Sequence, residues 1–163
     1  MIFKLLKLNK ISDIRGYSQI FEFDRYFKNK FKRVYFSVNK KKGTIRGLHY
    51  QKKNKQNKLL IVQEGAIFDV LVNINRKSKN FKKIYTFKLG DKKKFNCIYI
   101  PSNFAHGFQT LKKNTKLIYL IDKNFEKKNE LIKFDDENFN IKWPIKKIII
   151  SKKDNQNSTF INK

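Results

Sequence analysis

A single cysteine, Cys97, in 163 residues excludes an internal disulfide. Flanked by Asn96 and Ile98, it reads as a small apolar residue on a strand. No stretch approaches the roughly 18 unbroken apolar residues of a membrane-spanning helix. The opening run from Met1 to Lys10 interleaves its lysines with its apolar residues, whereas a secretory signal separates a charged segment from a hydrophobic one. These absences point to a soluble, cytoplasmic protein with no membrane partner. Histidine is nearly as scarce as cysteine, and its two copies sit in patterned runs: Arg46-Gly47-Leu48-His49-Tyr50-Gln51 and Pro101-Ser102-Asn103-Phe104-Ala105-His106-Gly107-Phe108. Histidine titrates near neutrality, so two copies spent beside Arg, Tyr and Gly point to proton transfer or ligation more than to packing.

Arginine is also sparse. Of 39 basic residues only five are Arg, against 13 acidic residues and a formal charge of +26. A field of that size attracts polyanions at low salt. Yet the lysines are dispersed in short clusters such as Lys40-Lys41-Lys42 and Lys92-Lys93-Lys94. Together with abundant Asn, Ile and Phe, they fit a drift towards AT-rich codons. Nucleic-acid readers favour the bidentate Arg fork, so nucleic acid is set aside as a partner. Where Lys substitutes so freely, a retained Arg marks a position that needs the planar fork. Arg15 and Arg46, each directly before a glycine, suit a phosphate or carboxylate.

What is present is a β-rich core. Sixteen Phe, seven Tyr and a hydrophobic fraction of 40% suffice for one domain over residues 1–163, with a loosely held tail after about residue 155. Short apolar runs are expected as strands at Phe31 to Val38, Leu59 to Gln63, Ala66 to Ile74, Lys83 to Leu89, Phe95 to Ile100, Gly107 to Leu111 and Lys116 to Asp122. The runs at 59–63 and 66–74, separated by Glu64-Gly65, read as a hairpin. Strands at this spacing predict an all-β antiparallel barrel or jelly roll, with a few short peripheral helices. Within 66–74, period two puts Asp69 on the face of Leu71 and Asn73. A carboxylate in so apolar a strand must point into a polar cavity or meet a cation. Tyr119 shares a face with Leu117 and Ile121, which directs its phenol to the barrel interior.

Gly47 to Gln51 on one strand, and Pro101 five residues before His106 on a later one, resemble the cupin arrangement. Metal-binding cupins place a second His where Gln51 stands, and two imidazoles cannot supply their three-His site, so no metal is expected. The sequence resembles one cupin family much more closely, the dTDP-4-dehydrorhamnose 3,5-epimerases. The matching residues are Asp13-Ile14-Arg15-Gly16, Gly43 to Gln51, Lys58-Leu59, Gly65 to Val70, Ile100-Pro101, Phe104 to Phe108, Tyr119, Glu130, Asp135-Asp136, Ile141 to Pro144 and Ser151-Lys152-Lys153-Asp154.

The resemblance implies epimerisation of a nucleotide-linked 4-keto-6-deoxy sugar through an enolate, without a cofactor, in surface-polysaccharide biosynthesis. It assigns His49 as base, Asp154 as its supporting carboxylate, Lys58 as the oxyanion stabiliser and Tyr119 as the acid on the opposite face. Asp69 remains a second candidate partner of His49 or Lys58. Arg15 is assigned to the nucleotide phosphates or their surroundings, Arg46 and His106 to sugar or diphosphate contacts, Phe125 to base stacking, Glu130 to the nucleotide end, and Gln51 with Lys153 to substrate binding. Family members are typically homodimers with an exchanged N-terminal strand, and the apolar start from Ile2 to Leu8 is compatible with that. The chain departs from the family where Phe and Glu usually contact the base, since Ser18 and Ile20 stand there, and where a Gln-Asn pair usually precedes Gly43. The segment from His49 to Lys58 is one residue short. These departures imply retained chemistry on a different base or sugar. A single-carbon epimerase, a ketoisomerase and a non-catalytic sugar-binding cupin are the alternative readings.

Overall fold

The computed structural model describes residues 3–22, 31–126 and 129–160; Ile2 and the last three residues of the tail lie outside them. The described residues form twelve strands: β1 (Lys4–Leu6), β2 (Ile11–Asp13), β3 (Gly16–Ser18), β4 (Arg33–Asn39), β5 (Ile45–Tyr50), β6 (Lys58–Glu64), β7 (Ala66–Asn73), β8 (Ile84–Gly90), β9 (Cys97–Ile100), β10 (Phe104–Thr110), β11 (Thr115–Ile121) and β12 (Glu130–Leu131). They build two five-stranded sheets, in the orders β1-β9-β6-β11-β4 and β12-β5-β10-β7-β8, with β2-β3 as a separate hairpin. Every strand pairing is antiparallel. The all-β antiparallel architecture expected from the strand spacing is the one observed, in the cupin-type jelly-roll form that the resemblance implies.

Strand parity explains the main core. Leu60 and Val62 of β6, Ile98 and Ile100 of β9, and Leu117, Tyr119 and Ile121 of β11 point from the first sheet towards the second. Ile67 and Leu71 of β7, Leu89 of β8, and Phe104 and Phe108 of β10 meet them. Each such side chain, once buried, contributes roughly 1.5–3 kcal/mol. The opposite face of β7 carries Val70 and Val72, which with Leu48 and Ala105 form the outer side of the second sheet. That side is covered by the C-terminal segment through Ile132, Phe139, Trp143 and Phe160. The outer side of the first sheet is covered by Leu8 against Leu59, Cys97 and Tyr99. Cys97 is buried on β9, and desolvation pushes its thiol pKa far up, which keeps it inert.

Two expectations are corrected. The runs at 59–63 and 66–74 are strands but not a hairpin: β6 pairs with β9 and β11, and β7 with β8 and β10. Gly65, at φ +86°, turns the chain from one sheet to the other, and a side chain there would lie 2.5 Å from the Thr115 hydroxyl. The peripheral helices are not found among the described residues. In their place the C-terminal segment runs through tight turns closed by side chains, such as Asn138 N–H to Asp136 Oδ1 at 3.0 Å, which compete with helical bonding. As far as Phe160 the tail is tied back, with Thr159 N–H donating to the Leu131 carbonyl at 2.8 Å. No helix among the described residues is long and apolar enough to cross a membrane.

Candidate active site

A cavity of about 420 Å³ opens between the two sheets at one end of the jelly roll. Its floor holds both histidines side by side, because His49 of β5 is the register partner of His106 on β10. Gly47 permits that approach. It has φ +105°, and a Cβ in its place would lie 2.5 Å from the His106 carbonyl oxygen.

Each histidine has its own carboxylate. His49 Nε2 lies 2.8 Å from Asp154 Oδ1, and Asp154 Oδ2 accepts the Gly47 N–H at 3.1 Å. Burial opposes ionisation of Asp154, but the His49 and Gly47 hydrogen bonds and the Arg46 charge outweigh it and hold the carboxyl below its ordinary pKa. An ionised Asp154 fixes the tautomer: Nε2 carries the proton, and Nδ1 is left as the basic nitrogen. The second pair, His106 Nε2 and Asp69 Oδ1 at 2.7 Å, is almost wholly buried. Asp69 is therefore the partner of His106, and Asp154 that of His49.

Asp154 reaches the site through a chain that must cross the second sheet. Gln109 grips that chain at Ile145 by two hydrogen bonds of 2.8 and 2.9 Å. Ile149 then adds a parallel bridge to Thr44. A turn closed by Asp154 N–H on the Ser151 hydroxyl, at 3.1 Å, presents the carboxylate to His49.

Tyr119, on the facing sheet, packs its ring edge-on to His106 with centroids 6.1 Å apart and lies 5.5 Å from Tyr35. Burial, then the nearby Asp69 charge, pushes its pKa well above the usual phenol value, so it holds its proton at neutral pH. Lys58, at the start of β6, has its pKa lowered to about 8 by burial and then by the charge of Arg33. It is still mostly protonated at neutrality. Base, phenol and ammonium thus line one cavity, the set needed to move a proton next to a carbonyl while holding the resulting oxyanion.

Arg46, Gln51, Phe125 and Lys153 join the same lining. Arg46 is oriented by Asn39, whose Oδ1 accepts Nε–H at 2.8 Å, and Gln51 donates to Asn129 Oδ1 at 3.2 Å. Phe125 is 74% exposed, a flat ring presented to the opening. Two expected residues are not brought in. Glu130 faces away, with Lys52 at 3.4 Å. Arg15 sits on the β2-β3 hairpin, its side chain 86% exposed and paired with Asp13. The sequence reading missed Arg33, Tyr35, Ser37, Gln56, Glu126, Asn129 and Ser151, which also line the cavity. Period two along β4 was the available signal, since Arg33, Tyr35, Ser37 and Asn39 alternate with Val34, Phe36 and Val38. Among the described residues no group of three or more His, Cys, Asp or Glu is placed to hold a metal ion.

Residues 3–162 match the family model described as dTDP-4-dehydrorhamnose 3,5-epimerase. Among curated relatives, the dTDP-4-dehydrorhamnose 3,5-epimerase of Sinorhizobium fredii is 32% identical over 160 residues, covering 93% of this chain and 81% of the relative. That of Shigella flexneri is 35% identical over 123 residues, covering 74% and 67%. Among solved structures, the Bacillus anthracis dTDP-4-dehydrorhamnose 3,5-epimerase with TDP and pyrophosphate bound superposes with a TM-score of 0.87, at 32% identity and with coverage of 94% and 91%. The Legionella pneumophila dTDP-6-deoxy-D-glucose-3,5-epimerase in complex with dTDP-4-keto-L-rhamnose gives 0.85, at 30% identity and with coverage of 93% and 84%.

Proposed function

Because the chain belongs to the dTDP-4-dehydrorhamnose 3,5-epimerase family, we propose that it is a carbohydrate epimerase acting on a nucleotide-linked 4-keto-6-deoxy sugar by way of an enolate. His49 Nδ1 removes the proton alpha to the ketone, and Asp154 stabilises the imidazolium that forms. The Lys58 ammonium faces the oxygen that gains charge. The Tyr119 phenol delivers a proton to the opposite face of the carbanion, inverting the carbon. Solvent then returns a proton to the phenolate and takes one from the imidazolium, so the sequence balances without a redox partner. The observation that carries this reading is the His49–Asp154 pair locked against the Gly47 amide, which leaves one basic nitrogen in a cavity also lined by a phenol and an ammonium.

Arg46, His106, Gln51 and Lys153 serve the sugar and diphosphate, and Phe125 serves as the stacking platform for the base. Arg15 serves the nucleotide phosphates of a second copy. It stands outside its own cavity, on a hairpin whose Ile11 and Ile14 are exposed, and β4 presents Val34, Phe36 and Val38 to solvent as a matching apolar edge. The protein thus works as a homodimer, in the cytoplasm, in sugar supply for surface polysaccharide. Incubation with dTDP-4-keto-6-deoxyglucose in D2O, followed by NMR, tests the chemistry. Deuterium at both C3 and C5 is the expected result, and deuterium at one carbon restricts the reaction to that centre. No exchange with any nucleotide-linked 4-keto sugar would leave a sugar-binding protein and refute the enzyme.

A further inference from the structure

An enzyme that inverts both C3 and C5 draws on its acid twice, because each carbanion takes one proton on the opposite face, and Tyr119 holds only one. After the first inversion Tyr119 is a phenolate, and the sugar still stands between it and the cavity mouth. Its ring is only 7% exposed even with the cavity open. Reloading through the mouth therefore requires the sugar to leave. A proton that arrives in time for the second carbon must come through the wall.

Among the described residues two ionisable rings stand beside the phenol. His106 packs edge-on to it, but the His106–Asp69 pair is 5% and 0% exposed and leads only deeper into the fold. Tyr35 leads outward. It is the register partner of Tyr119 in the β4–β11 pairing, so both side chains leave the sheet on one face, with ring centroids 5.5 Å apart. Directly opposite positions set the two hydroxyls at about the same height, a gap that a small side-chain movement or one water closes. β4 is the edge strand of its sheet, and Tyr35 lines the cavity while being 46% exposed. Val34, Phe36 and Val38 point the other way, so the proposed dimer edge uses the opposite face of the strand.

We propose that Tyr35 relays protons from solvent to Tyr119 and reloads the acid while the sugar stays bound. As the Tyr119 O–H bond breaks and the new C–H bond forms, the phenolate left behind takes the Tyr35 hydroxyl proton. Water then reprotonates Tyr35, and the hydroxide so formed neutralises the proton that His49 releases. Burial, then the charges of Asp69 and Tyr35, push the Tyr119 pKa well above the usual phenol value, which makes its phenolate a strong proton acceptor. This role rests on the proposed function and extends it, since Tyr35 acts through Tyr119.

Tyr35→Phe removes the hydroxyl and keeps the ring. Rapid-quench assays with enzyme in excess over dTDP-4-keto-6-deoxyglucose, read by NMR, should show the first inversion at its normal rate and the second slowed by about tenfold, so that a sugar inverted at one carbon accumulates. Added imidazole buffer should restore the second step. Tyr35→His should restore it too, because it supplies a titratable group although it matches the tyrosine ring less well than Phe. Thermal melts run in parallel report folding of both variants. Equal slowing of both inversions marks a packing role and overturns the relay, as does an unchanged second step. An unaltered protein that exchanges one carbon only needs no reloading, which overturns the relay and leaves a single-carbon epimerase. No exchange at either carbon overturns the epimerase reading itself, and the relay with it.

Discussion

Replacing Asp154 with Asn is the sharpest perturbation of the proposed base, because it keeps the shape and changes only charge and hydrogen-bond polarity. The orientation of the new amide is fixed by Gly47, whose N–H donates to Oδ2 at 3.1 Å and requires an oxygen there. The amide nitrogen must then face His49 Nε2 across the 2.8 Å contact, which turns Nε2 into an acceptor and moves the ring proton to Nδ1. The one nitrogen available to take a substrate proton is thereby occupied, and the imidazolium loses its counter-charge. The lost charge-assisted bond costs about 1.5–3 kcal/mol, and the wrong tautomer raises the total to about 4–5.5 kcal/mol, a fall in kcat of about 10³–10⁴. The Gly47 bond survives, so folding stability should fall by no more than about 2 kcal/mol. The assay is the rate of C3 deuterium incorporation by NMR at saturating substrate, with a thermal melt in parallel. A fall in kcat of less than about tenfold in a folded variant would refute the assignment of Asp154 as the group that sets the His49 tautomer.

Tyr119→Phe should separate abstraction from inversion: wash-in of deuterium by His49 persists, while formation of the inverted product falls by about 10²–10⁴, and unchanged inversion would assign the acid elsewhere. Lys58 must be protonated to hold an oxyanion, so its contribution to kcat/KM is full well below pH 8 and lost as pH rises through about 8. Lys58→Arg, whose charge persists past pH 12, should remove that alkaline limb, whereas Tyr119 cannot cause it because burial pushes its pKa well above 10. Phe36→Glu on the exposed edge of β4 should convert a dimer to a monomer by light scattering, and an unchanged mass would place the interface elsewhere.

The strands were legible because their apolar residues recur at period two, and parity correctly turned Asp69 and Tyr119 into the interior. What parity could not say was which side chain Asp69 meets, since that depends on the register of β10 against β7, where His106 stands opposite Leu71. Asp154 is opaque by composition alone. It sits among lysines in a polar stretch, 105 residues from the histidine it supports, and only the family's Ser-Lys-Lys-Asp pattern marked it. The lining of β4 was missed for a different reason. Its polar residues point inward and its apolar ones outward, the reverse of an isolated half-buried strand, so the usual rule assigns its faces wrongly. The supposed hairpin failed similarly, because Gly65 serves equally for a tight return within one sheet and a crossing between two.

The route taken by Asp154 makes the chemistry of the cavity depend on a segment that lies outside it. The jelly-roll strands end at Leu131, and everything needed to enclose a ligand except Ser151, Lys153 and Asp154 comes from residues before that point. The carboxylate is carried by the following segment, which is gripped by Gln109 and bridged to Thr44. Detaching the latch at Gln109 should therefore loosen Asp154 from His49 and weaken turnover from outside the pocket.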